Sequence, residues 1–158
     1  TEFLLKRLQK EKKTNTIILI LDRLAELYKP NSFDLTVIKN LIDKKGSLIR
    51  SPAYYASTNS AHEIEEYLIN KLGHTKLIDD IEGIIGALAY IGTKKSVIAL
   101  TPLMKNRKFR IKHAVQNSLP TIMIREGYPI TEICRITKVS TNFIKLKQDI
   151  ISNLTRSA

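Results

Sequence analysis

The chain has 158 residues, 43% hydrophobic and 26% charged, with a single cysteine and a formal net charge of +11. That length suits one domain, or one domain with a small appendage, and can bury a core without covalent staples. Lone Cys134 excludes an intramolecular disulfide and a thiolate metal cluster, and no apolar run approaches the roughly 20 residues of a membrane span.

Apolar residues recur at helical spacing throughout. Ten helical segments are predicted, at about 2–13, 16–28, 33–45, 47–57, 60–72, 76–91, 94–105, 108–125, 130–137 and 140–153. The β-branched run Thr16-Ile17-Ile18 could open a strand, but Leu21, Leu24, Ala25, Leu27 and Tyr28 continue it at helical spacing. Asn59-Ser60 before Glu63 resembles a capping box. Gly73 and Gly92 are expected to stop the helices before them, and Pro30 follows a helix that should already have ended. Pro102 and Pro120 fall inside predicted helices and should kink them or make them start late.

An internal repeat organises these segments. Leu24-Ala25-Glu26-Leu27 recurs as Leu88-Ala89-Tyr90-Ile91, and each is followed by a second helix, with Val37-Ile38 and Leu41-Ile42 or with Ala99-Leu100 and Leu103-Met104. Ile49-Arg50-x-x-Ala53 then matches Ile111-Lys112-x-x-Val115. The expected fold is therefore all-α, a stack of antiparallel helix pairs in which each pair packs on its neighbours.

The stretches Ile84–Gly92, Ser96–Met104 and Ile111–Val115 resemble HEAT repeats: a small-residue helix ending in Gly, a helix ending in a leucine pair, then a basic residue opening the next helix. The match is good over about 79–124, weaker over 17–57 and carried only by spacing over 58–78. Asn106 stands near the place of that family's acidic loop residue. The resemblance implies an α-solenoid of about ten helices that binds macromolecules. Residues 1–126 would form this body and 127–158 a C-terminal segment packed on it.

Residues 130–147 run from Ile130 through Cys134, Lys138 and Ser140 to Lys147, and they resemble a helix-turn-helix. In that reading Ile133, Cys134 and Ile136 face inward, with Cys134 at the close contact of the two helices. Val139 covers the turn, Ser140 caps the second helix, and Ile144 returns to the core. Thr141, Asn142, Lys145 and Lys147 or Gln148 would be exposed, with side chains suited to base edges and phosphates. Lys138 replaces the glycine usual at the positive-φ position, at a cost of ~1 kcal/mol, so a distorted turn is expected.

Charge is divided unequally. Residues 1–82 hold 13 Lys/Arg and 12 Asp/Glu, whereas residues 83–158 hold 13 Lys/Arg and three Asp/Glu. No carboxylate stands between Glu82 and Glu126. Such a one-signed field attracts polyanions. The densest run is Lys105-Asn106-Arg107-Lys108-Phe109-Arg110-Ile111-Lys112-His113. It spans a predicted loop and the first turn of the next helix, where cations oppose the helix dipole, which suggests phosphate contacts. Lys94 and Lys95 open an earlier helix in the same way and are expected to join a ridge with Arg125 and the C-terminal lysines.

Catalytic signals are thin. His62, His74 and His113 form no metal-spaced pair, the glycines of 83–92 lack a phosphate-loop lysine, and Asp79-Asp80-x-Glu82 suits the start of its own helix. The expectation is thus a non-enzymatic DNA-binding protein without cofactor or metal, a regulator or accessory factor of a DNA-processing complex. RNA stays open as the ligand, although no aromatic stacking platform is recognisable among six Tyr and four Phe. The alternative is an interaction scaffold for an acidic protein. A membrane partner is not expected. No signal peptide is recognisable, and the chain opens on Thr1, which leaves N-terminal targeting open. A cytoplasmic setting is expected, nucleoid-associated or nuclear for a DNA-binding chain. Oligomeric state is not legible.

Overall fold

A computed structural model describes residues 2–27, 35–44 and 62–156. The helix expected at 47–57, the Asn59-Ser60 cap, the stop before Pro30 and the repeat element at Ile49–Ala53 lie outside these residues. Every regular element among the described residues is helical and none is a strand, so the fold is all-α. The chain divides into two compact units, Thr1–Ile91 and Gly92–Ala158. Among the described residues no helix is long and apolar enough to cross a membrane.

The first unit contains α1 (Glu2–Lys10), α2 (Thr14–Leu27), α3 (Leu35–Lys44), α4 (His62–His74) and α5 (Ile78–Ile91). Helix α1 packs on α2, α3 on α4, and α4 on α5. The core takes the periodic residues: Leu8, Ile17, Leu21 and Leu24, then Ile38, Leu41 and Ile42, then Ile64, Leu68, Ile84 and Leu88. The segment expected at 2–13 ends at Lys10. The Glu11 carboxylate accepts hydrogen bonds from the Lys12 and Lys13 amides at 2.9 and 3.0 Å and from Arg7 Nη2 at 2.9 Å. A side chain that takes those two amides competes with the helix for them. The same backbone bonds, then the Arg7 guanidinium, hold the Glu11 carboxyl below its ordinary value. Gly73 does not stop its helix. Helix α4 runs on to His74, whose Nδ1 lies 2.9 Å from the Asn70 carbonyl.

A polar cluster ties α3 to α4. Lys71 Nζ donates to Asp43 Oδ1 at 2.7 Å, Tyr67 also hydrogen-bonds Asp43, and Lys39 Nζ sits 5.7 Å from the Tyr67 ring centre. Burial, then the Asp43 hydrogen bond and charge, pushes the Tyr67 hydroxyl up to about 12.

The second unit contains α6 (Lys94–Leu100), a 3-10 turn (Thr101–Lys105), α7 (Phe109–Arg125), α8 (Ile130–Thr137) and α9 (Thr141–Arg156). Gly92 ends the preceding helix as expected, and Thr93 caps α6 by accepting from the Lys95 amide at 3.3 Å. The helix expected over 94–105 changes at Thr101, because Pro102 lacks the N–H that would continue the α ladder. At the junction the Val97 carbonyl accepts both from the Thr101 amide and, at 2.7 Å, from Thr101 Oγ1. Pro120, by contrast, lies inside α7, which continues through it. Helix α7 contacts α6, the 3-10 turn, α8 and α9, and is the spine of the unit. All ten charge-excess residues of the C-terminal half fall in this unit, since residues 83–91 carry no charge.

The Asp43 cluster gives an acid-limb prediction. Burial raises the Asp43 carboxyl, but hydrogen bonds from Lys71 and Tyr67 and the Lys71 charge outweigh it, so the net shift is downward from 3.8. The folded carboxylate therefore binds a proton less readily than the unfolded one. Its contribution is present above pH 3.8 and lost as pH falls through the lowered folded value. Asp43→Asn should cost less than about 1 kcal/mol at neutral pH, since the pair is partly solvated. The variant should lose less of its remaining stability on acidification, as read from urea midpoints across that range.

Candidate nucleic-acid interface

The burial pattern of α7 decides where its cations appear. Its buried residues are Ile111, Val115, Ser118, Leu119, Pro120, Ile122 and Met123. Its exposed residues are Phe109, Arg110, Lys112, His113 and Asn117, followed only by Arg125. The solvent face is thus the N-terminal end, continuous with the loop Asn106–Lys108 that leads into it. Asn106 accepts the Lys108 amide at 2.9 Å and sets the entry into the helix. Lys105, Arg107 and Lys108 are exposed beside it.

The C-terminal end of α8 comes against the middle of α7. Gln116 Nε2 reaches the Thr137 carbonyl at 3.5 Å. Lys112 and Gln116 lie on one stripe of α7, one helical turn apart (about 6 Å). The contact therefore brings Thr137, the residue before Lys138, against the stripe of α7 that carries Lys112 one turn away. Lys138 adopts φ 59°, ψ 26°, the left-handed region that glycine usually fills. The turn forms with lysine in it, and the side chain is exposed. Ser140 Oγ accepts from the Phe143 amide at 3.3 Å, and Ile133 and Ile144 are fully buried. Cys134 Sγ lies 3.7 Å from Thr141 Oγ1, at the meeting point of the two helices. Thr141, Asn142 and Lys145 are exposed on α9. Among the described residues Lys105, Arg107, Lys108, Lys112, Lys138 and Lys145 lie within salt-bridge distance of no carboxylate.

Three of the expected contributors lie away from this surface. Lys147 turns inward: its Nζ donates to Thr121 Oγ1 of α7 at 3.2 Å and sits 5.2 Å from the Phe143 ring centre. Burial holds its ammonium below the ordinary lysine value. Lys94 and Lys95 are exposed at the start of α6, beside the C-terminal end of α7, because Arg125 donates to the Gly92 carbonyl. Seventeen-residue α7 is about 25 Å long, so that pair stands well apart from Lys105–Lys112. Lys94 and Lys95 thus stand near Arg125, the neighbour expected for them, and Lys105–Lys112 form a second basic area. Arg110 is exposed within the second, and Asp149 shares the exposed stripe of Lys145 on α9.

Sequence reading missed one feature. Phe109 and His113 stack, with ring centroids 5.6 Å apart and planes at 23°. Their i, i+4 spacing was the available signal. Among the described residues no three His, Cys, Asp or Glu side chains gather closely enough to hold a metal ion.

Comparison of the chain with protein-family models, with curated proteins and with solved structures gave no match.

Two substitutions test this geometry. Lys138→Gly should raise unfolding stability by up to about 1 kcal/mol in a denaturant titration, since it removes a Cβ from a left-handed position. Lys147→Met should leave the urea midpoint unchanged or raise it, because the cation it removes is penalised by burial. If Lys147→Met weakens nucleic-acid binding as much as Lys108→Ala does, the inward placement of Lys147 is wrong.

Proposed function

We propose that the second unit is a non-enzymatic DNA-binding module, with the surface around Lys105, Arg107, Lys108, Lys112 and the Lys138 turn as its phosphate-contacting face. One observation carries this reading. Six exposed cations, unpaired with carboxylate among the described residues, come from separate parts of the chain and share one compact unit. A solvated surface kept only for solubility usually mixes both signs. A one-signed face is what a polyphosphate requires.

The short α8, the three-residue turn and the Ser140-capped α9 support a helix-turn-helix-like use of Thr141, Asn142 and Lys145 toward base edges. Consecutive pairing of α3 with α4, α4 with α5, and α6 with α7 supports a HEAT-like body. Together they favour a regulator or accessory factor of DNA processing. One observation favours a second reading, a protein scaffold. Leu146 and Ile150, one turn apart on α9, are 59% and 51% exposed, which suits an apolar contact with another protein.

The test is a binding titration at several salt concentrations. Wild type should bind DNA with a logarithmic affinity that falls linearly with the logarithm of salt. The double variant Arg107→Glu, Lys108→Glu should bind more weakly, with the slope reduced by roughly one for each phosphate that is no longer neutralised. Affinity indifferent to salt, or unchanged by the double variant, would reject the proposal in favour of the scaffold.

A further inference from the structure

We infer that Phe109, backed by His113, is a stacking platform for an unpaired base of a single-stranded nucleic acid; this rests on the nucleic-acid reading above and deepens it. Phe109 is 75% exposed, although Ile111, two residues on, is 1% exposed and anchors the same helical turn. The Phe109 ring is not loose on the surface. It lies stacked against the His113 imidazole, and Asn117 Nδ2 in turn sits 3.3 Å from His113 Nδ1 and 3.4 Å from its Nε2. The three side chains form a row one turn apart along α7.

The surroundings select the occupant. Lys105, Arg107, Lys108 and Lys112 are exposed within four residues of Phe109 along the chain, and no carboxylate is within salt-bridge reach of them among the described residues. An apolar partner laid over Phe109 would desolvate these cations without pairing them, which is costly. A single-stranded nucleic acid satisfies both needs: a base covers the ring with its π face while its phosphates meet the lysines and Arg107. A duplex offers the same phosphates, but its bases are already stacked on one another. Phe109 thus adds a preference for unpaired strands that charge alone does not provide.

The experiment measures affinity for four probes of equal length: a DNA duplex, a single-stranded DNA oligonucleotide, the same sequence in RNA, and an abasic single strand. Proteins are wild type, Phe109→Ala, Phe109→Leu and Phe109→Tyr, each checked by circular dichroism. Expected is a roughly ten- to hundredfold loss of single-strand affinity in Phe109→Ala and Phe109→Leu, near-complete retention in Phe109→Tyr, and no change in the salt slope. Duplex and abasic affinities should stay the same in all four proteins. The stronger of the DNA and RNA arms identifies the source of the base, and loss in either supports the platform. Retention in Phe109→Leu, or equal losses on duplex and abasic probes, overturns the inference while leaving the charge-based reading standing. Failure of wild type to bind any of the four probes overturns both.

Discussion

Seven side chains of α7, from Ile111 to Met123, are withdrawn from solvent against α6, the 3-10 turn, α8 and α9. Each large apolar member contributes roughly 1.5–3 kcal/mol on burial, and the arrangement leaves little of the helix in contact with water. What remains is its N-terminal end and the loop before it. The lysines and arginines of residues 105–112 occupy that end, while most positions deeper along the helix are buried or half-buried. The same packing fixes α8, and through Gln116 and Thr137 it fixes where the following turn emerges. The basic face is thus a consequence of the core, assembled from a loop, a first helical turn and a distant tight turn.

Lys138 shows the competing demands on this surface. Glycine would suit its backbone better, and the unit forms with lysine there all the same. The two helices it joins are locked from inside by Ile133 and Ile144, and the Ser140 cap secures the second. A strained link is tolerated when its flanks are over-determined. The side chain gained in exchange is one more exposed cation in the second unit.

Periodicity made the helices legible. The segment at 130–137 coincides with α8, and the departures elsewhere have local causes. Glu11 takes two amides that α1 would have needed, so the segment at 2–13 ends early, and Pro102 cannot donate to the α ladder, so the segment at 94–105 passes from α to 3-10. Gly73 has open space around it and sits in the last turn of a helix that simply continues. Charge counts located the basic region, yet they treat every lysine alike. The inward turn of Lys147 depends on Thr121, 26 residues away, and the separation of Lys94-Lys95 from the main cluster depends on the length of α7. Neither is a property of local sequence. The Phe109–His113 pair was in principle readable from its spacing, but its solvent exposure was not.

The break in compactness between Ile91 and Gly92 falls where the charge balance changes. The first unit folds in a field close to neutral, whereas the second closes its core while holding ten more positive charges than negative ones. Mutual repulsion among them opposes that closure. Small anions, or any polyanion that settles on the surface, relieve this opposition, so the electrolyte acts as a structural component of one unit and a bystander to the other.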